Sequence, residues 1–387
     1  MRHKLLIYSD SPVFGGHEVT LCDAIEGLLQ DETIAITVII AKDNSRLKNR
    51  LQGVLNQKKI VITDVVTQPG DVFRALVRSK KVKIISKIFH ELDPDLIMIS
   101  QGAIGLSACG LAAAKMLRLP LVSFLPMAHR VSLVRGKSTP DVWLQELCYR
   151  YLYALPDRFL TICTSTADML HEQYGIAREN IGVSYYGLDI PRPPGTIYRP
   201  ARSNDRKVRP LIGLIGRVEF HQKRHDFFFK AVARSEFARE LDYVVLGDGP
   251  DLGACQDLTD SLGLNERVRY MGWVENVSEW YPQLDVVAIP SRFEGLPIVL
   301  IEALSYGLPV LASRVDGMKE LLPLAWTFEQ GNTTEMMTCL GELLENDQTS
   351  MVKANQDLAF TRLRKNTYQQ KFVQNLREVL TDLVQGK

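Results

Sequence analysis

Short apolar runs rich in β-branched residues recur along the chain, and between most of them lie amphipathic or Ala/Leu-rich stretches. KLLIYS, TIAITVII, KIVITDV, DLIMIS, PLVSFL, RFLTICT and NIGVSYY read as buried strands. Strands alternating with helices in this way predict a parallel, doubly wound α/β sheet, whose ligands bind beyond the carboxyl ends of the strands. The alternation stops over residues 191–208, a Pro-, Arg- and Ser-rich stretch without periodicity that reads as an interdomain linker. It resumes with PLIGLIG, LDYVVLGDGP, ERVRYMGWV, DVVAI and LPVLAS, then turns helical from Thr333 onward. The pattern therefore predicts one Rossmann-like domain over 1–190 and a second over 209–365. A last helical segment, 366–387, carries Phe372, Leu376, Val379, Leu380 and Leu383 at helical spacing and needs a surface to cover.

One stretch combines this pattern with unexplained charge: Asp285 to Gly317, DVVAIPSRFEGLPIVLIEALSYGLPVLASRVDG. It reads as strand, loop, helix, strand, with Pro297 in the first helical turn and Gly307 as the stop. The helix N-terminus presents unpaired N–H groups and the positive end of a dipole, a place suited to an anion. Glu294 stands just before it and Glu302 about two turns along. At roughly 1.5 Å rise per residue the two are on the order of 10 Å apart, so they reach different parts of one extended ligand. A retaining glycosidase needs its carboxylates about 5 Å apart; an inverting one stays open.

Glu294 and Glu302, embedded in SRFEGLPIVLIEALSYGLPVLAS, closely resemble the signature of family 4 glycosyltransferases, which have the two-Rossmann GT-B fold with an interdomain cleft. The EG-x-P, EAL-x-x-G-x-PV and terminal Asp-Gly elements make the likeness specific. The resemblance is specific over 210–320 and looser over 1–190. It implies that Glu302 binds the ribose hydroxyls, Glu294 the hydroxyls of the transferred sugar, and Gly295, Leu296 and Pro297 the donor. It also implies that the last helix crosses back onto the first domain.

Other positions gain meaning beside that resemblance. Gly216-Arg217 followed six residues on by Lys223 matches the loop whose cations bind the donor diphosphate. A single Arg or Lys is otherwise ordinary surface charge. Gly247, Gly249 and the backbone from Tyr270 and Met271 to Trp273 resemble the rim of the nucleotide pocket. Gly15 and Gly16, between the first strand and its helix, resemble the family's Gly-Gly loop beside the donor phosphates and the acceptor. His129 follows the PLVSFL strand a few residues later than the family's donor-facing histidine, after Pro126-Met127-Ala128. Arg130, Arg135 and Lys137 make a basic loop there, which reads equally as suited to an anionic or polyhydroxylated acceptor or as a mobile solvated loop. Tyr186 replaces the family's usual asparagine in YYGLD. No GxGxxG motif is present, which argues against a nicotinamide or flavin enzyme.

Composition narrows the classes further. A net charge of +1 gives no field suited to nucleic acid. The six cysteines are scattered without CxxC spacing, a pattern that fits a reducing cytoplasm better than a disulfide scaffold or zinc site. No run is long enough to span a bilayer, and the N-terminal apolar run is too short for a signal peptide. Residues 72–90 carry six Lys/Arg and no acid at roughly helical spacing. They read as an ordinary solvated helix face or as a peripheral contact with an anionic membrane, at the inner face of the plasma membrane. The Asp93-Pro94-Asp95 sequence sits at a helix-to-strand connection and reads as structural, not as a metal site.

By resemblance the chain is a retaining, metal-independent hexosyltransferase. It would move a sugar from a UDP- or GDP-linked donor to a hydroxyl acceptor in polysaccharide, lipopolysaccharide or glycolipid assembly. Alternatives are a nucleotide-sugar epimerase on the same fold, or a non-catalytic sugar-nucleotide binding protein. The donor base, sugar and acceptor are not legible.

Overall fold

The computed structural model describes residues 2–55, 59–135, 139–191, 198 and 209–385. Most of the predicted linker, and Lys137 of the basic loop, therefore lie outside the described residues. The chain divides into two compact units, Met1–Tyr186 with Lys365–Lys387, and Gly187–Arg364.

The first unit runs β1 (His3–Ser9), α1 (Gly16–Leu28), β2 (Ile34–Ala41), α2 (Ser45–Gln52), β3 (Ile60–Thr63), α3 (Asp71–Leu76), α4 (Lys80–Leu92), β4 (Leu96–Ser100), α5 (Ala108–Met116), β5 (Leu121–Phe124), α6 (Val131–Arg135), α7 (Pro140–Tyr153), β6 (Arg158–Thr161), α8 (Thr164–Tyr174) and β7 (Ile181–Val183). Its seven parallel strands lie in the order β3-β2-β1-β4-β5-β6-β7. Strands β1, β4 and β5 are buried almost throughout, as continuous apolar runs with helices on both faces should be.

The helix Lys365–Leu380 closes this unit. Tyr368, Phe372, Leu376, Val379 and Leu380 are buried, so the predicted apolar stripe has its surface. Tyr368 O–H donates to Thr20 O at 3.0 Å, Gln369 to Asp23 O at 2.9 Å and Asn375 to Val183 O at 3.2 Å. Those bonds tie it to α1 and β7.

The basic stretch 72–90 is not one helix. It breaks between α3 and α4, where Arg78 takes a left-handed backbone (φ 46°). Arg74 and Lys81 both turn onto the buried carboxylate of Asp71. Val82, Ile85 and Phe89 face the core, leaving Arg78, Lys80, Lys83 and Lys87 exposed. Asp93 and Asp95 both bond to Lys4, through its ammonium and its N–H. The basic loop after β5 contains the short helix α6, and Arg135 Nη2 donates to Gln145 at 2.9 Å.

The second unit runs β8 (Leu211–Ile215), α9 (His225–Val232), α10 (Glu236–Arg239), β9 (Asp242–Leu246), α11 (Leu252–Ser261), β10 (Val268–Gly272), β11 (Val286–Ile289), α12 (Ile298–Ser305), β12 (Val310–Ser313), α13 (Asp316–Leu321), β13 (Thr327–Phe328), α14 (Thr333–Glu345) and α15 (Thr349–Arg362). Six parallel strands lie in the order β10-β9-β8-β11-β12-β13. The strand order reverses at β8 and β11, so the loops after these strands open the crevice where ligands of such sheets bind. The loops after β8 and β9 meet so closely that a Cβ on Gly247 (φ 148°) would lie 1.9 Å from Gly216 O.

Candidate active site

Two loops and a helix start at the carboxyl edge of the second sheet bring the candidate residues together. The loop after β8 carries Gly216, Arg217, Gln222 and Lys223. The loop after β11 carries Arg292 to Pro297 and leads into α12. The start of α13, just after β12, carries Asp316 and Gly317.

Lys223 Nζ stands 2.6 Å from Glu294 Oε1, with Glu294 buried and Lys223 about one-fifth exposed. Gln222 braces the same loop: its carbonyl accepts Arg292 N–H at 2.7 Å and its amide donates to Phe293 O at 3.3 Å. From behind, Asp316 Oδ2 accepts Glu294 N–H at 2.7 Å. Glu294 is thus fixed by side chain and backbone alike. Arg217 is half-exposed, with its guanidinium 3.0 Å from Glu219.

Pro297 is the residue before α12, in extended backbone (ψ 130°), and the helix begins at Ile298. The sequence placed it one residue further in. An extended residue there turns Gly295 and Leu296 out of the helical path, at the anion-friendly end. Glu302, in the middle of α12, accepts the Tyr281 O–H at 2.7 Å. Burial pushes its carboxyl above the usual range, while that bond pulls it down. Tyr281 is itself buried and stacks on Tyr306 with ring centroids 4.8 Å apart. Burial alone first, then the neighbouring Lys223, lowers the imidazole of His225 to about 4, so it is neutral at pH 7.

Tyr270 turns its ring away from the strand end, with O–H donating to Cys255 O at 3.0 Å. Met271 and Trp273 are exposed beside it at 44% and 68%, so this rim offers apolar surface to a ligand.

In the first unit, Gly15 caps α1 and Gly16 opens it. Gly15 N–H donates to Glu18 Oε2 at 2.8 Å. Gly15 has an ordinary extended backbone (φ −152°), and a Cβ there would meet nothing closer than 3.7 Å. The fold does not require this glycine; its effect is to leave the loop surface bare. Two residues on, His17 sits between Glu18 Oε1 at 3.0 Å and Ser100 Oγ at 2.8 Å, at the carboxyl end of β4. Sequence alone does not mark that trio, because Gly-x-x-Glu supplies only the glutamate half of a capping box. His129 is buried beyond the end of β5, and its carbonyl accepts the Tyr174 O–H at 3.3 Å.

Two parallel-sheet α/β units, one with a cation–carboxylate pair at a helix N-terminus, define the GT-B class of nucleotide-sugar transferase folds. Residues 14–192 match the model described as Glycosyltransferase Family 4, and residues 209–346 that described as Glycosyl transferases group 1. The chain belongs to this family. A lipopolysaccharide 1,6-galactosyltransferase of Salmonella typhimurium is 32% identical over 145 residues, 36% of this chain and 38% of that protein. A D-inositol 3-phosphate glycosyltransferase of Nocardia farcinica is 29% identical over 52% of this chain and 48% of its own. The matched stretch thus spans about half the length of these curated relatives, or less.

Among solved structures, the lipopolysaccharide outer core galactosyltransferase WaaB in its apo form superposes with a TM-score of 0.71 at 18% identity, covering 97% of this chain and 99% of that one. Anabaena HepE in complex with UDP-glucose superposes with a TM-score of 0.71 at 19% identity and the same coverage. These likenesses establish the fold over 97% of the chain.

Proposed function

We propose that this protein is a hexosyltransferase that moves a sugar, with retention of anomeric configuration, from a nucleoside diphosphate sugar to a hydroxyl acceptor. The observation that carries the reading is the Lys223–Glu294 pair at 2.6 Å, set beside the N-terminus of α12. A cation and an anion side by side fit a ligand that is anionic at one end and polyhydroxylated at the other.

In the proposed reaction the acceptor oxygen attacks the anomeric carbon, and the bond from that carbon to the β-phosphate oxygen breaks. The electron pair stays on the diphosphate, whose oxygen takes the acceptor's proton. Growing negative charge there is stabilised by Lys223, Arg217 and the amides leading into α12, and such stabilisation lowers the barrier. Glu294 holds sugar hydroxyls and Glu302 the ribose. These side chains supply the charge that a metal ion supplies in other transferases, so we expect the reaction to proceed without one.

The relative named for galactosyl transfer to lipopolysaccharide and the HepE complex with UDP-glucose support a UDP-hexose donor and an acceptor from envelope polysaccharide or glycolipid assembly. A cytoplasmic location fits such donors. No helix of the described residues is long and apolar enough to cross a membrane. Contact with lipid is proposed instead through the exposed Arg78, Lys80, Lys83 and Lys87, with Phe73, Val77 and Ile84 among them. Co-sedimentation with vesicles that does not depend on anionic lipid overturns that contact.

The test of the reaction is nucleotide release from UDP-glucose, UDP-galactose and GDP-mannose, with and without oligosaccharide and glycolipid acceptors. Acceptor-dependent release of one nucleotide is expected. Release with an epimerised free sugar and no need of acceptor identifies an epimerase, and binding without any turnover identifies a binding protein.

A further inference from the structure

The first turn of α13 is pressed against the loop that carries Glu294. Besides the 2.7 Å bond from Glu294 N–H to Asp316 Oδ2, Gly317 N–H donates to Gly295 O at 3.0 Å. A Cβ on Gly317 would lie 2.7 Å from Gly295 O and 3.0 Å from Leu296 Cδ1. Asp316 is held in left-handed backbone (φ 47°), a conformation costly to residues with a side chain and most tolerable to Asn and Asp. Burial raises its carboxyl to about 7, opposed by the bond from Glu294 N–H and helped by the charge of Glu294. A glycine would remove both costs. It would not provide the acceptor for Glu294 N–H.

We propose that Asp316 is a positioning residue for sugar recognition: by accepting the Glu294 N–H it sets the backbone from which the Glu294 carboxylate reaches the transferred sugar. Lys223 fixes the side chain from one side and Asp316 the main chain from the other. This role rests on the reading of the site as a sugar-nucleotide pocket. It places the effect of Asp316 on the sugar, because its carboxylate accepts the N–H of Glu294, the residue assigned to the sugar hydroxyls.

Two substitutions separate this role from a structural one. Asp316→Gly removes the acceptor while relieving the backbone, and Asp316→Asn keeps a carbonyl acceptor and tolerates the left-handed conformation. The probe is whichever of UDP-glucose, UDP-galactose and GDP-mannose binds the wild type most tightly, measured by titration calorimetry against its bare nucleoside diphosphate. Expected for Asp316→Gly are an unchanged or higher Tm, nucleotide affinity within about threefold of wild type, and at least a fivefold loss of sugar-nucleotide affinity. Hydrogen exchange at the Glu294 amide should accelerate at the same time. Asp316→Asn should restore both affinity and protection to near wild type. Equal losses for nucleotide and sugar nucleotide, or wild-type binding by Asp316→Gly, overturn the role, as does an Asn variant as weak as the Gly one. Failure of every nucleotide to bind the wild type overturns instead the reading of the pocket, and this role with it.

Discussion

Lys223 Nζ and Glu294 Oε1, 71 residues apart in sequence, form a hydrogen-bonded ion pair at 2.6 Å. The cation and the carboxylate assigned to opposite ends of the donor therefore act on each other before any ligand arrives. Lys223→Ala should lower turnover at least about tenfold, roughly 1.4 kcal/mol of barrier. It should also destabilise the protein by about 1–3 kcal/mol, because Glu294 is left buried without its cation. In a double-mutant cycle, Glu294→Ala should cost clearly less in the Lys223→Ala background than in wild type. Strict additivity in urea denaturation would show that the pair is not coupled.

Arg217 provides the contrast. Its side chain is 55% exposed, so removing it should change stability by no more than about 0.5 kcal/mol. Turnover of Arg217→Ala should nevertheless fall at least about tenfold. Steady-state kinetics showing near-normal turnover in a fully folded variant would remove Arg217 from the diphosphate site.

Tyr281→Phe tests the support under Glu302. Loss of the 2.7 Å bond leaves a half-buried carboxylate short of its donor. The expected cost is about 1–3 kcal/mol of stability. Affinity for the bare nucleoside diphosphate should weaken, since the ribose contact is proposed to be Glu302's. Unchanged nucleotide affinity by calorimetry would separate Glu302 from the ribose.

The pH dependence of stability carries two opposed contributions. His225, 3% exposed, is held down from 6.5 to about 4, so between these values the unfolded state binds a proton the folded one refuses. Stability should therefore drop as pH falls from about 6.5 to 4, by at most about 3 kcal/mol. Asp316, facing Glu294, Lys319 and Glu320, is raised from 3.8 to about 7 and works the other way. Its contribution is present at low pH and lost as pH rises through 7. Measured as Tm against pH, His225→Gln should lose less stability on acidification than wild type, and Asp316→Asn should lose more. Curves parallel to wild type in both variants would contradict the two shifts.

The sheet strands were legible because each is a continuous apolar run, which only a sheet covered on both faces produces. The segment from β11 to β12 was legible down to its two glutamates. Its helix start was displaced by one residue because Pro297 fits either the first turn or the residue before it. The break at Arg78 left no trace in sequence, since nothing local marks an arginine for left-handed backbone. Contacts such as His17 to Ser100 and Asp316 to Glu294 join segments brought together only when parallel strands align their carboxyl ends. The residue types hinted at the site; the pairing came from topology.

The most direct test is a thermal-shift comparison of wild type and Lys223→Ala with UDP, GDP, UDP-glucose, UDP-galactose and GDP-mannose in the presence of a chelator. A cognate donor at 100 times its Kd should stabilise wild type by about 2.7 kcal/mol, a rise of several degrees in Tm. Lys223→Ala should show a much smaller rise. Stabilisation of neither protein by any of these nucleotides, or equal stabilisation of both, would contradict the assignment of Lys223 and Glu294 to a sugar-nucleotide site.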